Sequence, residues 1–276
     1  MALVARNLGY EYGAGTPFAV RALEGVDLDL EGGDMLVIAG ATGSGKSTLL
    51  RLLAGLLRAE TGSIAVDGES PQARSARGSV AIVFQNPETQ FFAETLLADV
   101  AFGPRNLGMP DAAEAAAEAL EAVGLEPGRF GARSPFTLSG GEARRAAIAG
   151  ALAMRAPYLL LDEPTAGLDS AGRRDVLAAV SAERARAGVA VVTHDPEEFL
   201  GLATHVLALS DGMPAFSGTV AELMDGPAAY EGAGLRLPEV VRAQLLARER
   251  GAVLPRIEFE PRAAARALLA ARGGLR

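Results

Sequence analysis

All 26 basic residues of this 276-residue chain are arginine except one, and that one is Lys46. It stands inside Gly40-Ala41-Thr42-Gly43-Ser44-Gly45-Lys46-Ser47-Thr48, which reads G-x-x-x-x-G-K-S. A compact ammonium on a flexible stem reaches phosphate oxygens as a point charge, where a planar guanidinium would not fit. The glycines let backbone N–H groups curl around an anion. In this chemistry Lys46 bridges the β- and γ-phosphates of a nucleoside triphosphate and Ser47 offers its hydroxyl to Mg²⁺, while Thr48 and nearby amides hold the remaining oxygens. A second group follows in Tyr158-Leu159-Leu160-Leu161-Asp162-Glu163-Pro164, an apolar strand ending in two carboxylates. Asp162 can hold Mg²⁺ through its water shell, because that ion dehydrates reluctantly. Glu163 can then polarise a water for attack on the γ-phosphate.

These groups need elements that hold them at one edge. Residues 35–39 form a short, wholly apolar strand running straight into the Gly-rich loop, and 47–57 carry apolar positions at helical spacing. The loop is therefore set between a buried strand and a helix N-terminus, the context of a phosphate-binding loop. Further buried strands are predicted at 80–84, 158–161, 189–193 and 206–209, with helices at 111–123, 141–154, 170–187 and 196–203. Residues 2–9 and 18–30 alternate as strands around a turn at 13–15. Strands alternating with helices imply a mostly parallel sheet covered on both faces, its ligands at the carboxyl ends of the strands. An Ala-rich helical segment at about 87–155 interrupts the alternation and reads as a subdomain. After about 220 the pattern changes again, with Gly226-Pro227 and 231–234 as punctuation and helices near 238–250 and 261–272.

Composition narrows the function classes. A net charge of −8 without a Lys/Arg block argues against a grip on a nucleic-acid backbone. The absence of cysteine removes disulfides and thiolate chemistry. Arg6 and Asn7 interrupt any apolar core at the start, so it does not read as a signal peptide. No apolar run reaches the roughly 18 residues a membrane helix needs; 146–161 is broken by Arg155 and Pro157. Any service to a membrane comes from outside it.

The third motif is Leu138-Ser139-Gly140-Gly141-Glu142, about twenty residues before the apolar strand. Ser139 and Glu142 have the spacing of a capping box. Yet Gly140-Gly141 begins a helix poorly and brings backbone close to an anion well. With the other two motifs it resembles the signature of ATP-binding-cassette (ABC) ATPases, with Glu142 where that family usually has Gln. The resemblance covers residues 2 to about 220. It implies a P-loop NTPase α/β fold of the ABC type, a mixed sheet with a helical subdomain, and ATP and Mg²⁺ as ligands. It implies roles as well: Gln85 as the glutamine that senses Mg²⁺ and the attacking water, His194 as the switch histidine, and Ala166-Gly167-Leu168-Asp169 as the loop crossing a dimer interface. Tyr12 matches the aromatic that stacks on adenine, with Tyr10 as its rival, and His205 is read as non-catalytic. In that family ATP is sandwiched between the phosphate loop of one subunit and residues 139–142 of another, so a homodimer or a heterodimer with a second ABC ATPase is expected.

The run Asn86-Pro87-Glu88-Thr89-Gln90-Phe91-Phe92, continued by 99–108, resembles the energy-coupling factor importers, with Gln90 as their extra glutamine. Phe91, Phe92, Leu96 and Leu97 would form an apolar groove for a partner's coupling helix. The tail, with Leu237, Val240, Val241 and Leu245 on one helical face, resembles the C-terminal dimerisation extension of that group; a helix packed on its own domain is the other reading. The expectation is a nucleotide-binding domain at 1–220 and an extension at 221–276. Its partners would be a transmembrane coupling protein and a substrate-binding membrane protein at the cytoplasmic face of the cell membrane, with no nucleic acid. The cargo, a vitamin or transition-metal ion, is chosen by another polypeptide. The alternatives are the ATPase of another ABC importer and a soluble ABC ATPase acting on nucleic acid.

Overall fold

The computed structural model describes residues 1–232 and 235–271. Ala233 and Gly234, and the chain from Arg272 onward, lie outside that range. Among the described residues nine strands form two sheets: β1 (Ala2–Tyr12), β2 (Val20–Glu31), β3 (Met35–Gly40), β4 (Thr61–Val66), β5 (Val80–Val83), β6 (Tyr158–Asp162), β7 (Gly188–Thr193), β8 (His205–Ser210) and β9 (Met213–Thr219). The larger sheet has the order β5-β6-β7-β3-β8-β9 and is parallel except for β9. The smaller, β2-β1-β4, is antiparallel.

Side-chain alternation explains why the central strands are apolar throughout. Along β3, Met35, Val37 and Ala39 enter one core, while Leu36 and Ile38 enter the other. The same split separates Leu159 and Leu161 from Tyr158 and Leu160 in β6, and Val189 and Val191 from Ala190 and Val192 in β7. With no face left for solvent, the period-2 pattern of a half-exposed strand disappears.

Helix α1 (Lys46–Leu53) lies in the second core with the antiparallel sheet. Its Leu49, Leu50, Leu52 and Leu53 are fully buried, each worth about 1.5–3 kcal/mol relative to exposure. That anchor fixes the helix whose first residue is Lys46. The first core is covered by α2 (Leu96–Val100), α4 (Ala112–Ala122), α5 (Pro127–Phe130), α6 (Gly140–Ala153), α7 (Ser170–Glu183) and α8 (Glu197–Leu200), while α3 (Phe102–Asn106) packs on α4 and α6.

The tail carries α9 (Val220–Asp225), α10 (Ala228–Gly232), α11 (Glu239–Glu249) and α12 (Pro261–Ala271). Its Leu223, Met224, Tyr230, Leu237 and Val241 are part of the first core, and Val240 and Leu245 pack against it. The amide of Gln244, wholly buried, donates to the carbonyls of Val240 (2.8 Å) and Glu258 (2.7 Å) and accepts from the Glu258 N–H (2.9 Å). These bonds fasten the segment before α12 onto α11. No helix among the described residues is long and apolar enough to cross a membrane.

Candidate active site

Three parallel strands end side by side. Ala39 of β3 pairs with Thr193 of β7, and Asp162 of β6 pairs with Val192. The residues that follow, the loop at 40–48, Glu163 and His194, therefore emerge at one edge of the sheet, where ligands of open α/β sheets bind.

Within the loop, Gly40 and Gly45 take positive φ of 155° and 97°. A Cβ on Gly40 would strike the Leu209 carbonyl and the Ser44 hydroxyl; one on Gly45 would strike the Ala22 carbonyl. Only glycine satisfies both the dihedral and the space at these positions. Gly45 caps α1, whose first N–H groups are left for an anion. Lys46 is buried, and its Nζ donates to the carbonyls of Gly40 and Ala41, both at 2.8 Å. Burial pushes its ammonium below the ordinary lysine value, with Glu163 and Asp162 pulling it back up. We expect Lys46→Ala to weaken ATP binding about 10–100-fold, the loss of one or two charge-assisted hydrogen bonds. Titration calorimetry with a non-hydrolysable ATP analogue checks this; wild-type affinity would remove Lys46 from the phosphate site.

Asp162 and Ser47 line one cleft with Arg51, Phe84, Gln85, Asn86 and Thr89. Burial raises the Asp162 carboxyl above its usual range, opposed first by a hydrogen bond from Ser47 and then by Lys46, Arg51 and Arg144. A desolvated carboxylate beside a hydroxyl fits a divalent cation, which would restore the charge balance that burial removes. Gln85 is exposed in the same cleft, and its carbonyl accepts from Arg144 Nη2 at 3.0 Å.

Glu163 is 8% exposed and sits at φ +54°. For a non-glycine residue this left-handed conformation costs about 1–2 kcal/mol. Three hydrogen bonds hold its backbone: its N–H donates to the Val192 carbonyl at 2.9 Å, and its own carbonyl accepts from Arg144 Nη1 and, at 3.3 Å, from the Ala166 N–H. Its carboxylate Oε2 lies 2.7 Å from Nδ1 of His194, whose side chain is 68% exposed. A carboxylate and an imidazole so placed can hold a water and pass its proton.

Other expected residues fall into place around this edge. Tyr12 is exposed, and its hydroxyl lies 3.2 Å from that of Thr48. Tyr10 stands edge-on to it at 4.9 Å and packs on the second core. Asp169 caps α7 through the Gly172 N–H at 2.8 Å. His205 lies near Thr204 and Asp34, on β8 and away from the loop.

Ser139, Gly140, Gly141 and Glu142 are elsewhere. Glu142 folds back into a capping box, accepting from the Ser139 N–H at 2.8 Å, while the Ser139 hydroxyl accepts from the Glu142 N–H. The Ser139 N–H and hydroxyl, with Arg133 and Arg145 nearby, hold the Glu142 carboxyl below its usual range. Its charge is thus spent within the helix end. Gly140 and Gly141 line a separate cleft with Phe91, Phe136, Leu138, Ala166 and Gly167. Among the described residues, no hydrogen bond or ion pair joins 139–142 to the loop at 40–48. The structure also corrects the expected apolar groove. Leu96 is fully buried, and Phe91 and Leu97 are half-buried against the chain's own core. Phe92 (57% exposed) stands out instead with Phe102 (46%), their rings 4.5 Å apart. Two residues carry no individual signal in sequence: Phe102, which lies within the run 99–108, and Arg144, whose bonds cross 19 and 59 residues.

Comparisons with known proteins define the class. Residues 23–166 match the family model described as ABC transporter. Solved structures with the same architecture include the ATP-binding cassette MJ0796, a dimer bound to ADP and Pi (TM-score 0.71, 28% identity, covering 80% of this chain and 99% of that one). Another is cbiO1 from Clostridium perfringens, part of the ABC transporter complex cbiONQ (TM-score 0.69, 30% identity, 88% and 98%). The energy-coupling factor transporter ATP-binding protein EcfA2 of Symbiobacterium thermophilum is 45% identical over 92% of this chain and 91% of its own length. EcfA1 of the same organism is also 45% identical, over 92% of each. The chain belongs to the ABC transporter family of ATP-binding proteins, and within it to the energy-coupling factor group.

Proposed function

We propose that the chain is the ATP-hydrolysing motor of an energy-coupling factor importer, working as a head-to-tail dimer on the cytoplasmic face of a membrane. The observation that carries the reading is the meeting at one sheet edge of Lys46, Asp162, Glu163 and His194, with the carboxylate 2.7 Å from the imidazole. Lys46 and the loop amides bind the β- and γ-phosphates, and Tyr12, the exposed member of its pair, stacks on adenine. Ser47 and Asp162, with Gln85 in the same cleft, would hold Mg²⁺, which when bound neutralises phosphate charge. Glu163 accepts the proton of the attacking water while His194 fixes the carboxylate's orientation and approaches the γ-phosphate.

The dimer is supported by a glycine the monomer does not require. A Cβ at Gly140 would meet nothing within 4 Å, and its φ is not positive. In this reading a second subunit's ATP approaches that backbone from outside the chain. Residues 1–220 form the nucleotide-binding domain in this reading, with Asp169 at the dimer interface. The extension at 221–276 packs Leu237, Val240, Val241 and Leu245 inward. Its outward Leu246, Val253 and Leu269 are left for dimer contacts. Phe92 and Phe102 stand near a cleft lined by Gln90, Phe91, Gly103, Ala147, Gly150 and Ala151. Small residues there admit a helix of a transmembrane coupling protein, which carries a substrate-binding membrane protein.

The test is to recover the chain from membranes in mild detergent and identify its companions. Small multi-span membrane proteins should come with it, with or without a second ATPase. Replacing Phe92 and Phe102 together by Ser should release them and leave ATP binding intact. Nucleic-acid-processing companions, or ATPase activity with no membrane partner, would replace this reading by that of a soluble ABC ATPase.

A further inference from the structure

We propose that Arg144 is a positioning residue for hydrolysis: one guanidinium, carried by the helix of the signature motif, clamps the backbones of Glu163 and Gln85 together. The geometry is specific. Nη1 donates to the Glu163 carbonyl and Nη2 to the Gln85 carbonyl at 3.0 Å. Arg144 follows the first turn of α6 and lines a cleft with Gly140 and Gly141. A planar fork presents N–H groups from two nitrogens in fixed directions, which suits two carbonyls that stand apart.

The clamp acts where the backbone needs holding. Glu163 is at φ +54°, and its N–H is already held by β7 through Val192. Arg144 holds the other side of the same residue, beside a longer bond from the Ala166 N–H at 3.3 Å. With both sides fixed, the carboxylate stays aimed at His194; with only the Ala166 bond left on the carbonyl, the residue can relax toward φ < 0 and turn the carboxylate away. The same side chain ties Gln85, at the end of the segment after β5, to the base. A movement of α6 is thereby transmitted to both at once, so the helix bearing Gly140 and Gly141 sets the alignment of its own subunit's base.

The inference rests on Glu163 as the base, and its test separates the two. Arg144→Gln and Arg144→Lys are compared with wild type in the full chain with ATP and Mg²⁺. Both should lose about ten-fold or more in kcat with KM for ATP within about two-fold, the pattern of a lost transition-state arrangement. The second readout is the imidazole Cε1–H resonance of His194, one of 2 histidines and identified by its loss in His194→Gln. In Arg144→Gln it should move toward its position in Glu163→Ala. Wild-type kcat in both variants, a rise in KM alone, or a kcat loss with the resonance unmoved overturns the clamp. If Arg144→Gln fails to fold, Arg144→Lys, which keeps charge and length, carries both readouts. Full turnover in Glu163→Gln would instead defeat the base assignment, while the resonance still reports on the clamp.

Discussion

Glu163→Gln should bind ATP as tightly as the wild type and hydrolyse it about 10²–10⁴ times more slowly, the usual contribution of a general base. The amide keeps the shape of the side chain and can still accept a hydrogen bond from His194. It cannot take a proton from water. The backbone bonds to Val192 and Arg144 involve main-chain atoms and are untouched by the change, so the loss should fall on kcat and not on stability. In the proposed dimer ATP joins the subunits and hydrolysis releases them, so the variant should also accumulate as a dimer with ATP and Mg²⁺, visible by light scattering. Turnover at the wild-type rate would transfer the base role to another group.

The second large effect belongs to a residue with open space where a side chain would stand. Gly140→Leu introduces a side chain where a Cβ has no neighbour within 4 Å, at the first position of α6. The isolated subunit should fold normally, with up to about 1 kcal/mol of gain from replacing glycine in a helix. Its affinity for ATP should be unchanged, since the loop at 40–48 is intact. Hydrolysis should nonetheless fall about 10²–10³-fold, as when a preorganised group facing the transition state is lost. No ATP-dependent dimer should form. Gly140→Ala should be milder, because the obstruction is graded by size. A Gly140→Leu enzyme that turns over normally would mean that no ligand approaches that backbone.

Much of this architecture is legible in sequence where burial is complete. Strands β3, β6 and β7 announce themselves because both faces are covered, leaving unbroken apolar runs that end in the loop, in Asp162 and in Thr193. Strand β4, Thr61–Val66, escapes because half its residues are exposed and Gly62 interrupts it. Strand β9 carries Pro214 and Gly218, tolerable only at the sheet edge it occupies. Within the site, the loop and the carboxylate pair are local motifs and can be read directly. The contact of Glu163 with His194 depends on the register of β6 against β7, and the reach of Arg144 on how α6 packs; neither leaves a trace in spacing. Leu96 shows the opposite failure: its apolar character suggests a docking surface, whereas the helix turns it wholly inward. Glu142 could be read both ways, as an added charge or as a cap, and the helix end uses it as the cap.

The burial of Tyr230 has a consequence for how such a chain can change over generations. Its ring is fully enclosed beyond the last strand, with its hydroxyl near the charge of Asp195, the neighbour of His194. Burial and that charge both push the phenol above its ordinary value, so it stays neutral. A tail grafted from a relative must therefore arrive with a side chain shaped for that seat, or leave a hole near the loop that carries His194. The boundary at which segments can be exchanged freely is not the end of the last strand, since α10 and the start of α11 are inherited with the motor.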